Sequence, residues 1–134
     1  MRPLRRSVLY VPADNARALE KCRILPADAI IVDLEDAVSA DAKDIAREAA
    51  RHAPMEGREV ALRLNPSDTP WHEADVEVAR AAPFDAVVLP KVCEAREVMA
   101  VAERTGLCVW PMLETARGVL CAREIAEAAA RSGP

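Results

Sequence analysis

An alternation of short apolar runs with segments of helical spacing constrains the fold of this chain more than any other feature. Five aliphatic runs of strand length occupy residues 7–11, 29–33, 60–64, 86–89 and 107–113. A segment with helical periodicity follows each run, and proline or glycine residues mark the joints between elements. Such a βαβα alternation, with nearly continuous apolar strands, predicts a parallel sheet covered by helices.

Two of the helical segments, those after the second and fifth runs, have the longest apolar faces, and the segment after the fourth run repeats the spacing with Ala95, Val98 and Ala102. In the first of them, the apolar residues that follow the i, i+3, i+4, i+7 rhythm are Ala42, Ile45, Ala46, Ala49 and Ala53. In the last segment, the corresponding residues are Val119, Ala122, Ile125, Ala126 and Ala129. We expect both faces to pack against the sheet.

The composition excludes several classes of protein. Hydrophobic residues make up 51% and charged residues 30% of 134 residues, which predicts one soluble globular domain spanning residues 1–134. Acidic and basic residues are interspersed at a net charge of −4, so we expect no nucleic-acid partner. No apolar stretch approaches the roughly 20 residues of a membrane span. The four cysteines form no CxxC pair, so we expect reduced thiols in a cytoplasmic protein.

Two architectures fit a parallel sheet, an open doubly wound sheet and a barrel. An open dinucleotide-binding sheet usually carries a glycine-rich loop after its first strand, whereas this chain has Pro12, Ala13 and Asp14 there. A flavodoxin-like open sheet stays possible as an alternative. The positions of polar residues at the strand ends favour the barrel, and we predict an α/β fold consisting of a partial TIM (β/α) barrel with about five of its eight βα units.

Polar side chains follow four consecutive predicted strands. They are Asp33, Glu35 and Asp36 after the second, Arg63 and Asn65 after the third, Lys91 after the fourth and Glu114 after the fifth. Parallel strands bring their carboxyl ends to one face, which holds the active site of a barrel. Oxygen ligands without nearby Cys or His suit Mg²⁺, and an arginine fork suits a substrate carboxylate. The pattern predicts a keto acid or hydroxy acid chelated to Mg²⁺ and bound by Arg63.

Simpler structural roles stay open for these residues taken one at a time. They are a helix N-cap for Glu35 or Asp36, an internal salt bridge between Arg63 and Glu114, a solvated side chain for Lys91 and a plain turn at Asn65 and Pro66. Four strand ends that carry polar residues in order argue for a shared site.

Five motifs, in this order and spacing, resemble the HpcH/HpaI aldolase and citrate lyase β-subunit family, in its citrate-lyase-β-like (malyl/citramalyl-CoA lyase-like) branch. They are RSVLYVPA at residues 6–13, IVDLEDAV at 31–38, RLN at 63–65, AVVLPKV at 86–92 and MLETARGV at 112–119. The second and fifth motifs are the most specific. The resemblance runs from about residue 6 to the end of the chain.

The resemblance implies a Mg²⁺-dependent barrel that cleaves a citryl, citramalyl or malyl thioester of CoA or acyl carrier protein into a keto acid and an acetyl thioester. It implies that Glu114 ligates Mg²⁺ beside the keto acid, that Arg63 binds the keto acid, and that Glu35 and Asp36 hold water on the metal. We expect Asn65 and Lys91 to add substrate contacts.

The resemblance also implies parts that these residues do not supply. A second metal ligand, an aspartate, and a segment that covers the thioester are expected beyond Pro134, so we expect a truncated barrel domain. Unpaired sheet edges invite association, and the resemblance implies that full-length members form oligomers. We therefore expect a homo-oligomer. The alternative function is a non-catalytic module that binds Mg²⁺ or a thioester on the same fold.

Overall fold

A computed structural model describes residues 4–53 and 55–133 of the chain. Its five strands are β1 (Val8–Pro12), β2 (Ala29–Asp33), β3 (Glu59–Arg63), β4 (Ala86–Leu89) and β5 (Cys108–Pro111). Its helices are α1 (Ala16–Cys22), α2 (Lys43–Arg51, after a 3₁₀ turn at Ala40–Ala42), α3 (His72–Ala81), α4 (Ala95–Thr105), α5 (Ala116–Leu120) and α6 (Ala122–Ala130). Across these two described ranges, no helix combines the length and the apolar character that crossing a bilayer requires.

The strands form one parallel sheet in the order β1-β2-β3-β4-β5, so strands that are consecutive in the chain are neighbours in space. A flavodoxin-like sheet reverses its strand order at a switch point, and the strands of the described residues show no reversal. The open-sheet alternative is therefore wrong. Sequential parallel strands with helices between them are the arrangement of a (β/α) barrel, which confirms the predicted partial barrel.

The two faces of the sheet bury different sets of aliphatic residues because side chains alternate along a strand. The outer face packs under the helices, where Ile30, Leu62 and Val87 are fully buried. The inner face holds a smaller cluster of Ile31, Ala61, Ala86 and Val88, with Trp110 and Met112 packed against it. Burial on both faces explains why the strands read as continuous apolar runs.

Several predicted element boundaries move by one or two residues. Strand β1 runs one residue later than predicted, β3 one residue earlier, and β5 is shorter than the predicted 107–113. The fifth strand ends at Pro111, although Met112 N still donates to Leu89 O at 2.9 Å. The polar residues Glu114 and Thr115 follow before α5.

Two predicted helix faces are partly wrong. Ile45 is 69% exposed, because the buried face of α2 is formed by Lys43, Ala46 and Ala50. Two alanines one turn apart let this helix approach the sheet closely, and Ile45 lies about 100° away from Ala46 around the axis. Val119 is 59% exposed, because the last segment divides at Cys121 into α5 and α6 and its two parts do not share one face.

A carboxylate fixes the start of the sheet. Asp28 accepts hydrogen bonds from the backbone N–H groups of Arg6 and Ser7 at 3.0 and 2.9 Å, and from the Arg6 guanidinium at 2.9 Å. The Arg6 side chain, followed by these backbone donors, holds the pKa of the Asp28 carboxyl well below its ordinary value.

Candidate functional site

The site begins with a pair of charged residues on neighbouring strands. Asp33 and Arg63 are register partners at the carboxyl ends of β2 and β3. Arg63 Nε donates to Asp33 Oδ1 at 2.7 Å, and Nη2 donates to Asp33 Oδ2. The Asp33 side chain is 1% exposed and that of Arg63 is 11% exposed. The pairing of the parallel strands therefore places a buried, bidentate ion pair at their carboxyl ends. We call this end of the sheet, with the loops that follow the strands, the mouth.

Glu35 is the second buried carboxylate, two residues beyond Asp33. Its side chain is 2% exposed, and its Oε1 accepts a hydrogen bond from Lys91 Nζ at 2.5 Å. Its Oε2 lies 2.9 Å from Arg63 Nη1, with which it forms an ion pair. Within the described residues this oxygen accepts no well-aligned hydrogen bond. A buried carboxylate oxygen in that state fits an additional donor or cation.

Lys91 contacts acidic residues that follow two different strands, β2 and β5. Its backbone N–H donates to Glu114 Oε1 at 2.8 Å, and its ammonium lies 3.6 Å from Asp36 Oδ1 in addition to its contact with Glu35. Its φ is 52°, a left-handed conformation that is uncommon outside glycine and often marks functional loops. Glu35 and then Asp36 raise the pKa of the Lys91 ammonium. Lys91 is thus paired with two carboxylates although its side chain is 46% exposed, and its contact with substrate stays a prediction.

Glu114 lies exposed at the mouth, between β5 and α5. The next residue, Thr115, caps α5 by accepting a hydrogen bond from Gly118 N at 2.9 Å. A Cβ on Gly118 would lie 2.2 Å from the backbone oxygen of Val92, so only glycine allows α5 to approach the β4–α4 loop this closely. This close packing holds Glu114 opposite Lys91.

Two structural alternatives for the acidic residues are wrong. Arg63 pairs with Asp33 and Glu35 and forms no ion pair with Glu114 in the described residues. Neither Glu35 nor Asp36 caps the second helix, because the 3₁₀ turn begins after Ser39 and α2 begins at Lys43. The Asp36 side chain is 72% exposed, and it lies 3.6 Å from Lys91 Nζ.

A buried polar network that the sequence interpretation missed lies behind the site. The Lys43 side chain donates to the backbone oxygens of Leu34 and Glu35 at 2.6 and 2.7 Å, and to Asn65 Oδ1 at 2.8 Å. Lys43 Nζ also lies 5.1 Å from the centre of the Trp71 ring. Lysine is almost never buried unless it is paired, and no residue pattern around Lys43 indicated its burial.

Asn65 belongs to the same network and is 2% exposed. Its Nδ2 donates to Leu34 O at 3.0 Å and to Asp75 Oδ2 at 2.7 Å, and its own N–H donates to Asp75 at 2.8 Å. The fully buried Asp75 was not identified from the sequence, and it also accepts from Arg47 Nη1 at 3.1 Å. The role of Asn65 is therefore not limited to a turn, because its side chain donates to Leu34 O and Asp75. Its amide is occupied by protein partners, so its contact with substrate stays a prediction.

A cavity of about 240 Å³ adjoins the site. Glu35, Asp36 and Lys91 line one side, and Trp71 and Lys43 line another. The cavity therefore brings together carboxylates, an ammonium and an aromatic surface. It offers room for a small polar ligand beside Glu35 and Lys91.

The side chains at the mouth carry an excess of negative charge, which suits a divalent cation. The positive charges are those of Arg63 and Lys91, and the four carboxylates are Asp33, Glu35, Asp36 and Glu114. Within residues 4–53 and 55–133, no group of three or more His, Cys, Asp or Glu side chains is arranged to hold a metal ion. Mg²⁺ commonly takes only one or two carboxylates directly, and the donors here are all oxygens, so the set is compatible with Mg²⁺. The ligand role of Glu114, and a second ligand expected beyond Pro134, stay predictions.

The sequence matches a known family and known enzymes. The family model described as HpcH/HpaI aldolase/citrate lyase matches residues 6–132. The (3S)-malyl-CoA thioesterase of Cereibacter sphaeroides (strain KD131) is 48% identical over 126 residues, covering 90% of this chain and 44% of that protein. The citrate lyase subunit beta of Escherichia coli K12 is 34% identical over 145 residues, covering 95% and 47%. The chain spans about half the length of the curated relatives it matches.

Solved structures agree with the fold and with the ligands expected of such a site. The citrate lyase beta subunit from M. tuberculosis, complexed with oxaloacetate and magnesium, superimposes with a TM-score of 0.81 at 36% identity, over 90% of this chain and 52% of that one. CitE from the same organism, in complex with magnesium, acetoacetate and coenzyme A, gives a TM-score of 0.81 at 35% identity, over 93% and 46%.

Proposed function

Since the chain belongs to the HpcH/HpaI aldolase/citrate lyase family, we propose that it forms the Mg²⁺- and keto-acid-binding part of a carbon–carbon lyase acting on a malyl, citramalyl or citryl thioester. The observation that carries the proposal is the convergence of Arg63, Lys91 and Glu114 around the buried Glu35. Magnesium and keto acids in the complexes of similar proteins support the same ligands here.

Arg63 is the residue that we assign to the carboxylate of the keto acid. A guanidinium has five N–H donors, of which Arg63 gives two to Asp33. The remaining donors face Glu35 and the mouth, and the side chain is 11% exposed. Asp33 therefore fixes the plane of the fork while leaving donors for a ligand carboxylate. Bound Mg²⁺ would act as a Lewis acid on the keto or hydroxyl oxygen.

The proposed reaction breaks the bond between the hydroxyl-bearing carbon and the carbon next to the thioester carbonyl. The hydroxyl loses its proton and becomes the keto oxygen, and the bonding electron pair moves to the acetyl thioester, which takes up a proton. Negative charge develops on oxygen atoms during this step. Arg63 and Lys91 are the cations placed to stabilise that charge, and we propose Glu35 and Asp36 as the acidic groups that handle the proton at this mouth.

Hydrolysis of the thioester is the second candidate. It is favoured by one observation, the 48% identity to a (3S)-malyl-CoA thioesterase. Hydrolysis would release a free hydroxy acid and the thiol, whereas the lyase reaction releases a keto acid and an acetyl thioester. A third outcome, binding without turnover, corresponds to the non-catalytic module on the same fold.

Product analysis tests the proposal. The chain is incubated with malyl-CoA or citramalyl-CoA, with Mg²⁺ or with a chelator, and the products are separated by chromatography. Mg²⁺-dependent formation of acetyl-CoA and a keto acid is the expected result. Formation of free malate and coenzyme A identifies a hydrolase instead, and an intact substrate that nevertheless binds identifies the non-catalytic module.

A further inference from the structure

The most deeply enclosed cation of the site region is Lys43, which no step of the proposed reaction uses. Lys43 is 5% exposed, and a lysine ammonium has three N–H donors. All three acceptors are protein oxygens, at 2.6 Å (Leu34 O), 2.7 Å (Glu35 O) and 2.8 Å (Asn65 Oδ1). The ammonium therefore has no donor left for a substrate, and its effect must pass through the groups that it holds.

The group that Lys43 holds most directly is the backbone of Glu35. The N–H of Glu35 donates to Asp33 Oδ1 at 2.7 Å, and its carbonyl accepts from Lys43 at 2.7 Å. Both backbone polar groups of Glu35 are thus fixed by charged side chains. The backbone of Glu35 is thereby held in place while its carboxylate lies between Arg63 and Lys91.

The surroundings of the ammonium show how a buried charge is tolerated there. Asp75 is fully buried and reaches the network through Asn65, whose Nδ2 donates to it at 2.7 Å. The Trp71 ring lies 5.1 Å from Lys43 Nζ. Burial lowers the pKa of the ammonium, and the negative charge of nearby carboxylates, Asp75 first, opposes that shift. A buried ion retained at this cost is expected to specify a geometry.

We propose that Lys43 is a positioning residue that orients Glu35 for the keto-acid site, with Asn65 as its supporting partner rather than a substrate contact. The inference rests on the proposed function. Without the ammonium, Asn65 Oδ1 loses its donor, while Leu34 O and Glu35 O keep one donor each, from Asn65 Nδ2 and Val38 N. With a single donor on each carbonyl, the turn after β2 relaxes. Glu35 would then leave its place between the two cations.

The test compares three variants by calorimetric titration of oxaloacetate at saturating Mg²⁺. Lys43→Met keeps the length and removes every donor, and Lys43→Arg keeps the charge. Ser132→Ala is the matched control, because Ser132 is 4% exposed and its hydroxyl pairs with Val109 N at 2.9 Å and with Ala129 O at 2.7 Å. It therefore removes comparable buried hydrogen bonds at the other end of the sheet.

The expected result is a weakening of oxaloacetate binding by at least about tenfold in Lys43→Met, since displacing a site group by about 1 Å can cost up to about 100-fold. Lys43→Arg restores part of the affinity, and Ser132→Ala stays within about twofold of the parent. A folded Lys43→Met that binds like the parent overturns the inference, and so does an equal loss in Ser132→Ala. Should Lys43→Met not fold, Lys43→Gln, which keeps an amide donor, must show an intermediate loss.

Hydrogen exchange of the segment 33–38 provides a second readout that does not need the keto acid. The N–H groups of Leu34, Glu35 and Val38 donate to protein oxygens in the parent structure. Lys43→Met should accelerate exchange in this segment, whereas Ser132→Ala should not. If the parent chain fails to bind keto acids, the proposed function fails, while the exchange rates still decide whether Lys43 fixes this turn.

Discussion

Replacing Arg63 by alanine leaves two buried carboxylates without their guanidinium. The side chains of Asp33 and Glu35 are 1% and 2% exposed, so solvent cannot compensate for the lost charge. Removing one partner of a buried ion pair typically costs about 3–5 kcal/mol of unfolding free energy. Asp33 retains the N–H of Glu35 at 2.7 Å, and Glu35 retains Lys91. These remaining contacts place the expected loss near the lower end, at about 3 kcal/mol.

Two further substitutions separate the loss of the paired hydrogen bonds of the Arg63 guanidinium from the loss of its positive charge. Lysine at position 63 keeps the positive charge but cannot make the two parallel bonds to Asp33, so Arg63→Lys should cost roughly 1–2 kcal/mol. Asp33→Asn removes the buried charge that Arg63 neutralises. The double variant Asp33→Asn, Arg63→Ala should therefore lose less unfolding free energy than the two single variants together, with a coupling energy of about 1–3 kcal/mol.

The assay is urea unfolding followed by tryptophan fluorescence and circular dichroism, without added Mg²⁺. Arg80→Ala is the matched control, because Arg80 is 55% exposed and pairs with Glu77 on the surface of α3. It should change the unfolding free energy by no more than about 0.5 kcal/mol. If Arg63→Ala loses less than about 1 kcal/mol, or no more than Arg80→Ala, the reasoning from a buried carboxylate pair is refuted.

Three other changes have defined outcomes. Gly118→Ala places a Cβ 2.2 Å from Val92 O and should cost roughly 1–3 kcal/mol in urea unfolding; an unchanged midpoint would contradict the close packing of α5. Asp28, whose pKa is lowered chiefly by Arg6, stabilises the fold above the ordinary aspartate pKa of 3.8 and loses that contribution as pH falls below it. Asp28→Asn should therefore lower stability at pH 7 and flatten the decline in acid, as equilibrium unfolding at several pH values would show. Glu114→Gln should weaken Mg²⁺ binding in calorimetry, and an unaltered affinity would remove Glu114 as a ligand.

The architecture and the place of the site followed from the sequence because topology determines both. Once the strands are parallel and sequential, their carboxyl ends share one face, whatever the side-chain details. Asp33 and Arg63 then become neighbours by register. Strand ends were less predictable, since hydrophobic runs extend beyond the hydrogen-bonded ladder, as Leu107 and Met112 show on either side of β5.

The buried network behind the site could not be read from residue patterns. A lysine before an apolar helical face looks like a solvated residue, and only the fold shows that Lys43 points under the turn after β2. The position of Asn65 at a strand end predicts a ligand contact, which stays a prediction, but it does not reveal that the amide donates inward to Asp75. Orientation of a residue at a strand end depends on the loop that follows, and neither periodicity nor composition describes that loop.

Binding of a keto acid that depends on Mg²⁺ is the most direct test of the central claim, that the strand ends around Arg63 and Glu114 form such a site. The measurement is calorimetric titration of the 134-residue chain with oxaloacetate, pyruvate or glyoxylate, with Mg²⁺ present or chelated. The account predicts saturable binding in Mg²⁺ that disappears in chelator and is weakened by Glu114→Gln. Absence of binding to a folded chain, or binding of equal strength without Mg²⁺, would contradict it.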